Sequence, residues 1–248
     1  MNEVIRTLTN HRSIRTFTDK QVQEQDIDAI VKAAQAAPSW VNGQQVTIIS
    51  VTDEQKKQKL SELVGHQASV AQAPLFFVFC ADFYRTSIAS DIENEPLHAV
   101  CDIDSLLVGA TDVGLALGNA IAASESLGLG IVPIGGIRRN ALEVIELLEL
   151  PNYVIPISGL CIGYPNEDPG QKPRFPKEAI LHEEVYNTAD TKQQVIDYDQ
   201  TMSMYTRERT NGESDDGWTK RIAGFYNKQY YKDVPAMLRK QGYDIKNL

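Results

Sequence analysis

From Ile103 to Gly130 the chain is almost entirely small and apolar, and any fold it adopts has to cover this segment. A bilayer span needs about 20 mostly apolar residues with few or no charges. Asp104, Asp112, Asn119 and Glu125 interrupt the run, so the segment reads as a buried core helix over about Ile103–Leu127. Gly109, Gly114 and Gly118 lie inside it among many alanines. A helix-interior glycine costs about 1 kcal/mol relative to alanine. The three therefore predict close approach of another backbone.

Such a helix needs a partner surface, and the strands supply it. Leu75–Ala81, LFFVFCA, is a continuous apolar run and reads as a strand buried on both faces. Gln45–Val51 and Val154–Ile162 are further strands, and Ile131–Ile137 is a strand or extended turn. Helices are predicted near residues 1–10 and on the face Ile27, Ile30, Val31, Ala34, Ala37, stopping at Pro38. Two more run over Asp53–Val64, with Leu60, Leu63 and Val64 as the apolar side, and Asn140–Leu150. Residues 82–100 read as polar and irregular. The alternation is an α/β or α+β pattern in a chain of 248 residues. Its expected organisation is a single domain over 1–248, with a core over about 1–165. Beyond Tyr164, PNEDPGQKPRFP contains four prolines and opens an extended linker over about 165–188. A polar, helical excursion over about 189–248 follows, with helices near 190–210 and 217–241. It lacks the apolar residues for a core of its own and is expected to wrap the main domain or a second subunit.

Lys plus Arg is 24 against 33 Asp plus Glu, a formal net charge of −9. This disfavours general nucleic-acid binding and repels anionic membranes; neither partner is expected. Cys80, Cys101 and Cys161 are distant from one another and sit in apolar stretches, which fits a reducing cytoplasm. The N-terminus has no apolar stretch of the signal-peptide kind. Gly128 and Gly130 begin a dinucleotide fingerprint, but Pro133 stands at its third glycine. Gly136-Ile137 stands where a phosphate-binding loop needs Lys and Ser/Thr, and no serine has the flanking glycines of a nucleophile elbow. His11, His66, His98 and His182 show no metal-ligand spacing, so neither a protein nucleophile nor a metal site is expected.

Three features remain. His11-Arg12-Ser13-Ile14-Arg15 puts three cation-capable side chains and a hydroxyl into five residues of an acidic chain. Extended, it projects His11, Ser13 and Arg15 to one side; helical, it pairs His11 with Arg15. Both arrangements can grip a small anion, and a solvated polar connection is the plainer alternative. In Lys172-Pro173-Arg174 the proline stiffens the segment so that two cations point one way, a clamp for phosphate. A Pro-rich surface linker has the same composition. Ile134-Gly135-Gly136 after an apolar strand exposes bare backbone to a flat ligand, or simply ends the strand.

In order and spacing, HRSIRTFTD (11–19), VAQAPLFFVFCADF (70–83), AIAASESLGLGIVPIGGIRRN (120–140), ISGLCIGYPNEDPGQKPRFP (157–176) and the tail from Tyr205 to Trp218 resemble the FMN-dependent nitroreductase superfamily. The likeness is to its oxygen-insensitive NADPH nitroreductase and flavin reductase branch and covers nearly the whole chain. It implies an α+β fold, a central, mostly antiparallel sheet flanked by helices, with a C-terminal helical excursion, forming an intertwined homodimer. FMN would be bound non-covalently at the dimer interface. His11, Arg12, Ser13 and Arg174 would hold its phosphate and ribityl chain, with Arg15 and Lys172 near the pyrimidine edge. Ser39, Gln44 and Gln67 would line the site, Ile134 would be among the cofactor-binding residues, and the N–H groups of Gly135 or Gly136 would face N5 and O4 of the ring. The chemistry implied is ping-pong. NADPH or NADH gives a hydride to the flavin, and a flat acceptor, a nitroaromatic, quinone or free flavin, then takes two electrons. A flavin reductase or oxidase shares this site; a flavin-binding protein without turnover is the alternative of another class.

Two departures bear on specificity. The branch supplies two arginines to the NADPH 2′-phosphate from the loop before Trp218. Arg209 matches the first, whereas Ser214 stands near the second, followed by Asp215 and Asp216. Acidic residues repel a 2′-phosphate, which opens the site to NADH. Trp40, next to Ser39, is expected to narrow the acceptor pocket.

Overall fold

A computed structural model describes residues 1–245. The strands are β1 (Val46–Val51), β2 (Leu75–Asp82), β3 (Gly130–Ile134) and β4 (Val154–Gly163). The helices are α1 (Glu3–Thr9), α2 (Glu24–Gln35), α3 (Glu54–Leu63), α4 (Ala68–Gln72), α5 (Tyr84–Glu93), α6 (Ile103–Ser126), α7 (Ala141–Leu147), α8 (Thr191–Arg209), α9 (Trp218–Tyr226) and α10 (Val234–Lys240). Two compact units result: residues 1–169 with the stretch from Tyr231, and residues 170–230. The last helix thus groups with the N-terminal unit, so the unit boundaries differ from a simple core followed by a tail.

In the first unit the strands form one sheet in the order β1-β2-β4-β3, and all three pairings are antiparallel. Every residue of β2 is buried, which is why that strand reads as an unbroken apolar run. The register slips between Phe79 and Cys80 against β4. On α2, Ile30 and Ala34 are buried, with Ile27, Val31 and Ala37 packed at the margin. On α3, Leu60, Leu63 and Val64 enter the core as expected, and Lys57 is buried beside them, its Nζ donating to the Ala73 carbonyl at 2.7 Å. Burial raises the Cys80 thiol above its ordinary value and pushes Cys161 up to about 12; both are packing residues.

Several expectations need correction. Residues 82–100 are not irregular: α5 forms there, because the Asp82 carboxylate accepts the N–H groups of Tyr84 (3.0 Å) and Arg85 (3.3 Å) at its start. It buries no residue, so no apolar stripe announces it. The five-residue α4 is likewise too short to carry a periodic signal. The helix expected over 217–241 is two helices, with Pro235 in the first turn of the second.

The long helix α6 departs from a fully buried core helix. It is long and apolar enough to cross a membrane by length and composition. It lays one stripe, including Gly109, Asp112, Val113, Ala116 and Ala120, against the first unit, while Leu107 and Leu115 are exposed. Close approach is confined to Gly109, where a Cβ would lie 2.9 Å from that of Ala81. Gly114 and Gly118 face nothing within 4 Å.

Candidate functional site: a basic segment along the β3 edge

Residues 11–17 are extended, which decides between the two geometries open to them. Ser13 bridges Ile131 in parallel, the Ile14 N–H donates to the Ile131 carbonyl at 2.9 Å, and Phe17 bridges Pro165. Ile14 and Phe17 are buried. Gly130 permits this pairing, since a Cβ there would meet the Ile14 side chain at 2.8 Å. The glycine that looked like part of a dinucleotide fingerprint thus serves the docking of the basic segment onto β3.

Each cation of the segment meets an acceptor. His11 Nδ1 lies 2.6 Å from Glu125 Oε1, and its Nε2 lies 3.5 Å from Ser13 Oγ. Arg12 donates to Asp168 at 2.9 Å. The Arg15 guanidinium turns back to the Ser13 carbonyl at 3.1 Å. Its backbone N–H and that of Thr16 both donate to Glu167 Oε1, at 2.5 and 3.0 Å. A cavity of about 520 Å³ opens beside the segment, lined by Arg6, Arg12, Glu125, Glu167 and Asp168 among others. Glu125, Glu167 and Asp168 carry no site role in the sequence reading. Glu125 is visible there only as a charge interrupting an apolar helix.

The β3 strand runs on into the turn Gly135–Arg138. At Gly136 the space of a side chain is already taken: a Cβ would stand 2.5 Å from the Val64 carbonyl and 2.7 Å from Gln67 Nε2. The Gln67 amide, which donates to Val64 O at 3.0 Å, is thereby fixed beside the turn. Gly135 is exposed with no atom within 4 Å of its Cβ position, and Ile134 is buried beneath it. The first unit thus brings His11, Arg12, Ser13 and Arg15 along β3, and Gln67, Gly135 and Gly136 at its end.

Ser39 and Gln44 lie at the two ends of a strained loop in the same unit. The Gln44 N–H donates to Ser39 Oγ at 3.1 Å. Between them Val41 (φ 45°) and Asn42 (φ 57°) are left-handed, as is Gln44 itself (φ 53°). A β-branched residue at positive φ is a genuine outlier, and such strain persists only where the surroundings enforce it. Asp112 of α6 does so by accepting the Trp40 N–H at 3.1 Å, and Arg85 by donating to the Gln44 and Val46 carbonyls at 2.9 and 2.6 Å. Trp40 is largely exposed.

The second unit carries Lys172, Arg174 and Arg209. The Arg174 guanidinium donates to the Lys172 carbonyl at 2.8 Å. Phe175 stacks on Tyr198 at 3.9 Å between ring centroids and meets Trp218 edge-on at 5.2 Å. Tyr198 Oη donates to the Pro173 carbonyl at 2.9 Å. Burial pushes this phenol above its ordinary value, and the nearby Arg174 partly offsets that. Arg209 donates to Tyr205 Oη at 3.0 Å. In the loop beyond it, Asp216 pairs with Lys220 at 2.5 Å, so one of the two acids following Ser214 is already neutralised. Among the described residues no group of three or more His, Cys, Asp or Glu side chains is placed to hold a metal ion.

Fold and site together define an α+β protein in which a basic N-terminal segment pairs with a strand that ends in bare backbone. Family comparison gives that class a specific identity. Residues 8–164 match the Nitroreductase family and residues 172–246 the Nitroreductase family C-terminal domain. The chain belongs to the nitroreductase family. It is 50% identical over 247 residues to an FMN reductase [NAD(P)H] of Bacillus subtilis, covering 99% of both chains. It is 39% identical over 243 residues to an oxygen-insensitive NADPH nitroreductase of Salmonella typhimurium, covering 98% of this chain and 99% of that one. Among solved structures, B. megaterium NfrA2 superposes with a TM-score of 0.97 at 52% identity, covering 99% of this chain and 100% of the other. NADPH:FMN oxidoreductase from Vibrio harveyi complexed with NAD+ gives 0.88 at 33% identity, covering 98% and 99%.

Proposed function

We propose that this chain is a cytoplasmic NAD(P)H-dependent FMN oxidoreductase that reduces small flat acceptors, nitroaromatics, quinones or free flavin, in a ping-pong cycle. The observation that carries this reading is the docking of His11–Arg15 along β3. It aligns a row of anion-binding groups with a strand end where Gly135 leaves room for a flat ring. The open space at Gly135 and the donors of His11–Arg15 in the same unit are the features that suit a flat ring carrying a phosphate.

When bound, FMN supplies an N5 position that accepts hydride and returns two electrons to an acceptor. The chain's own residues bind and orient. His11, Arg12 and Ser13 would hold the phosphate and ribityl chain by hydrogen bonds, and Arg174 would supply a charge-assisted bond to phosphate. Arg15 and Lys172 bring positive charge to the pyrimidine edge, where it favours the reduced, anionic ring. Ser39, Gln44 and Gln67 line the site, and the backbone of Ile134, Gly135 and Gly136 faces the reacting edge. Arg209 meets the nicotinamide nucleotide. With Ser214 and Asp215 beside it and Asp216 engaged by Lys220, the loop accepts NADH as well as NADPH.

The working form is a homodimer. Val4, Ile5 and Leu8 on α1 and Leu107 and Leu115 on α6 are left exposed on two helices that touch each other, and a second copy would cover them. Sedimentation equilibrium is expected to give twice the chain mass.

Purified protein is expected to be yellow and to bleach with NADH or NADPH under anaerobic conditions. Colour without bleaching by either nucleotide would turn the reading into a flavin-binding protein without turnover. Ser214→Arg is expected to raise the NADPH/NADH ratio of kcat/KM; an unmoved ratio would remove this loop from the nucleotide site.

A further inference from the structure

The polar residues that interrupt α6 each hold another segment of the first unit. Asn119 Nδ2 donates to the Ala33 carbonyl at 3.0 Å, Asp112 accepts the Trp40 N–H, and Glu125 reaches His11. The last of these meets a side chain assigned above to the flavin phosphate and ribityl chain. We propose that Glu125 is a positioning residue. It fixes the tautomer and ring orientation of His11 and so presents the unprotonated Nε2, beside Ser13 Oγ, as an acceptor to a hydroxyl of the ribityl chain. The inference rests on the reading of His11 as an FMN-binding residue.

The argument is one of donor and acceptor inventory. An ionised carboxylate only accepts. At 2.6 Å from Glu125 Oε1, His11 Nδ1 must therefore carry the proton. With Nδ1 donating, the neutral ring keeps Nε2 as an acceptor, 3.5 Å from Ser13 Oγ. The hydrogen bond one ring nitrogen makes decides the role of the other. The contact is well shielded, with the His11 side chain 27% and the Glu125 side chain 13% exposed. The second Glu125 oxygen, Oε2, is buried without a hydrogen-bond partner, so no rival donor draws the carboxylate away from His11. Glu125 sits in the last turn of α6, on a helix anchored against the sheet and α2. A frozen helix is a better support for an imidazole than a side chain on a loop.

The test reads the imidazole directly and the flavin separately. In protein labelled with 15N-histidine, the ring nitrogens of His11, assigned by loss of their signals in His11→Gln, are expected to show the Nδ1-protonated form. Glu125→Gln retains an oxygen acceptor and is expected to keep that form. Glu125→Ala is expected to release the ring toward the Nε2-protonated form, which donates where the ribityl hydroxyl needs an acceptor, and to weaken FMN binding about 2- to 10-fold, the loss expected for one hydrogen bond between neutral groups. Glu125→Gln is expected to weaken it less. Unchanged His11 nitrogen shifts in Glu125→Ala would overturn the proposal, as would a changed tautomer with wild-type FMN affinity. If the wild-type protein itself takes up no FMN, the proposed function falls together with this role. If the wild type takes up FMN and the alanine variant does so equally well, only this inference falls.

Discussion

His11–Arg15 and Lys172–Arg174 carry the same kind of charge, but the molecule restrains them differently. The first is paired to β3 and surrounded by carboxylates: Glu125 on His11, Asp168 on Arg12, Glu167 on two backbone N–H groups. The second is stiffened by Pro173 and pinned by Phe175, packed between Tyr198 and Trp218. One segment is held by polar partners brought from distant parts of the chain, the other by a proline and an aromatic cluster. The difference teaches that a cationic site can be pre-organised either by satisfying its charges in advance or by freezing its backbone. The first route has to be undone in part when an anion arrives, because Asp168 competes with it for the Arg12 guanidinium. The second holds its cations through the backbone that Pro173 stiffens.

The largest expected effect tests the second segment. Arg174→Ala is expected to raise the FMN Kd about 10- to 100-fold, as loss of a charge-assisted bond worth about 1.5–3 kcal/mol requires. Unchanged flavin content after dialysis would remove Arg174 from the site. The strand pairing of the first segment comes next. Gly130→Ala forces a Cβ to 2.8 Å from Ile14, and overpacking of this kind costs about 1–3 kcal/mol. Chemical denaturation is expected to show that loss, and wild-type stability would mean that Ile14 yields freely. Glu167→Gln weakens the carboxylate's hold on the exposed Arg15 and Thr16 amides. A cost of about 1 kcal/mol is expected as faster hydrogen exchange at those two amides, with the Phe175 neighbourhood unaffected. Equal exchange would show that strand pairing alone holds the segment.

The smallest effect concerns the aromatic cluster and is read by pH. Hydrogen bonds from the Thr219 N–H and hydroxyl, each to Asp199 Oδ1, hold the Asp199 carboxyl below its ordinary range. A depressed folded-state value means that the stabilisation is complete above the unfolded carboxylate value and fades as pH falls through the folded one. Trp218 fluorescence, read in a Trp40→Phe background, is therefore expected to shift in acid below the ordinary carboxylate range. In Asp199→Asn that shift is expected to vanish.

Much of this was legible without coordinates. The unbroken run of β2, the stripe of α2 and the paired residues Leu60 and Leu63 announce their elements, because burial on one face or two imposes a period on the sequence. The basic clusters and the double glycine stand out against an acidic chain. Other features carry no such mark. The helix α5 buries nothing, so its start is set by one aspartate. The strain at Val41 contradicts local preference outright and exists only because Asp112 and Arg85 hold the loop from outside. The partners of the basic segment, Glu125 and Glu167, come from more than 100 residues away.

The chain's own order of residues settled the element types and the buried strand at the centre, because each follows from hydrophobic period, while the family of chemistry was implied by the resemblance of several motifs in order and spacing. Tertiary structure alone decided which glycines make room for a neighbour, which charges meet which, and which way the imidazole of His11 is turned. Those depend on distances across the fold, and a hydrogen bond or a steric clash is settled within a few tenths of an ångström by atoms that sequence separation does not bring together.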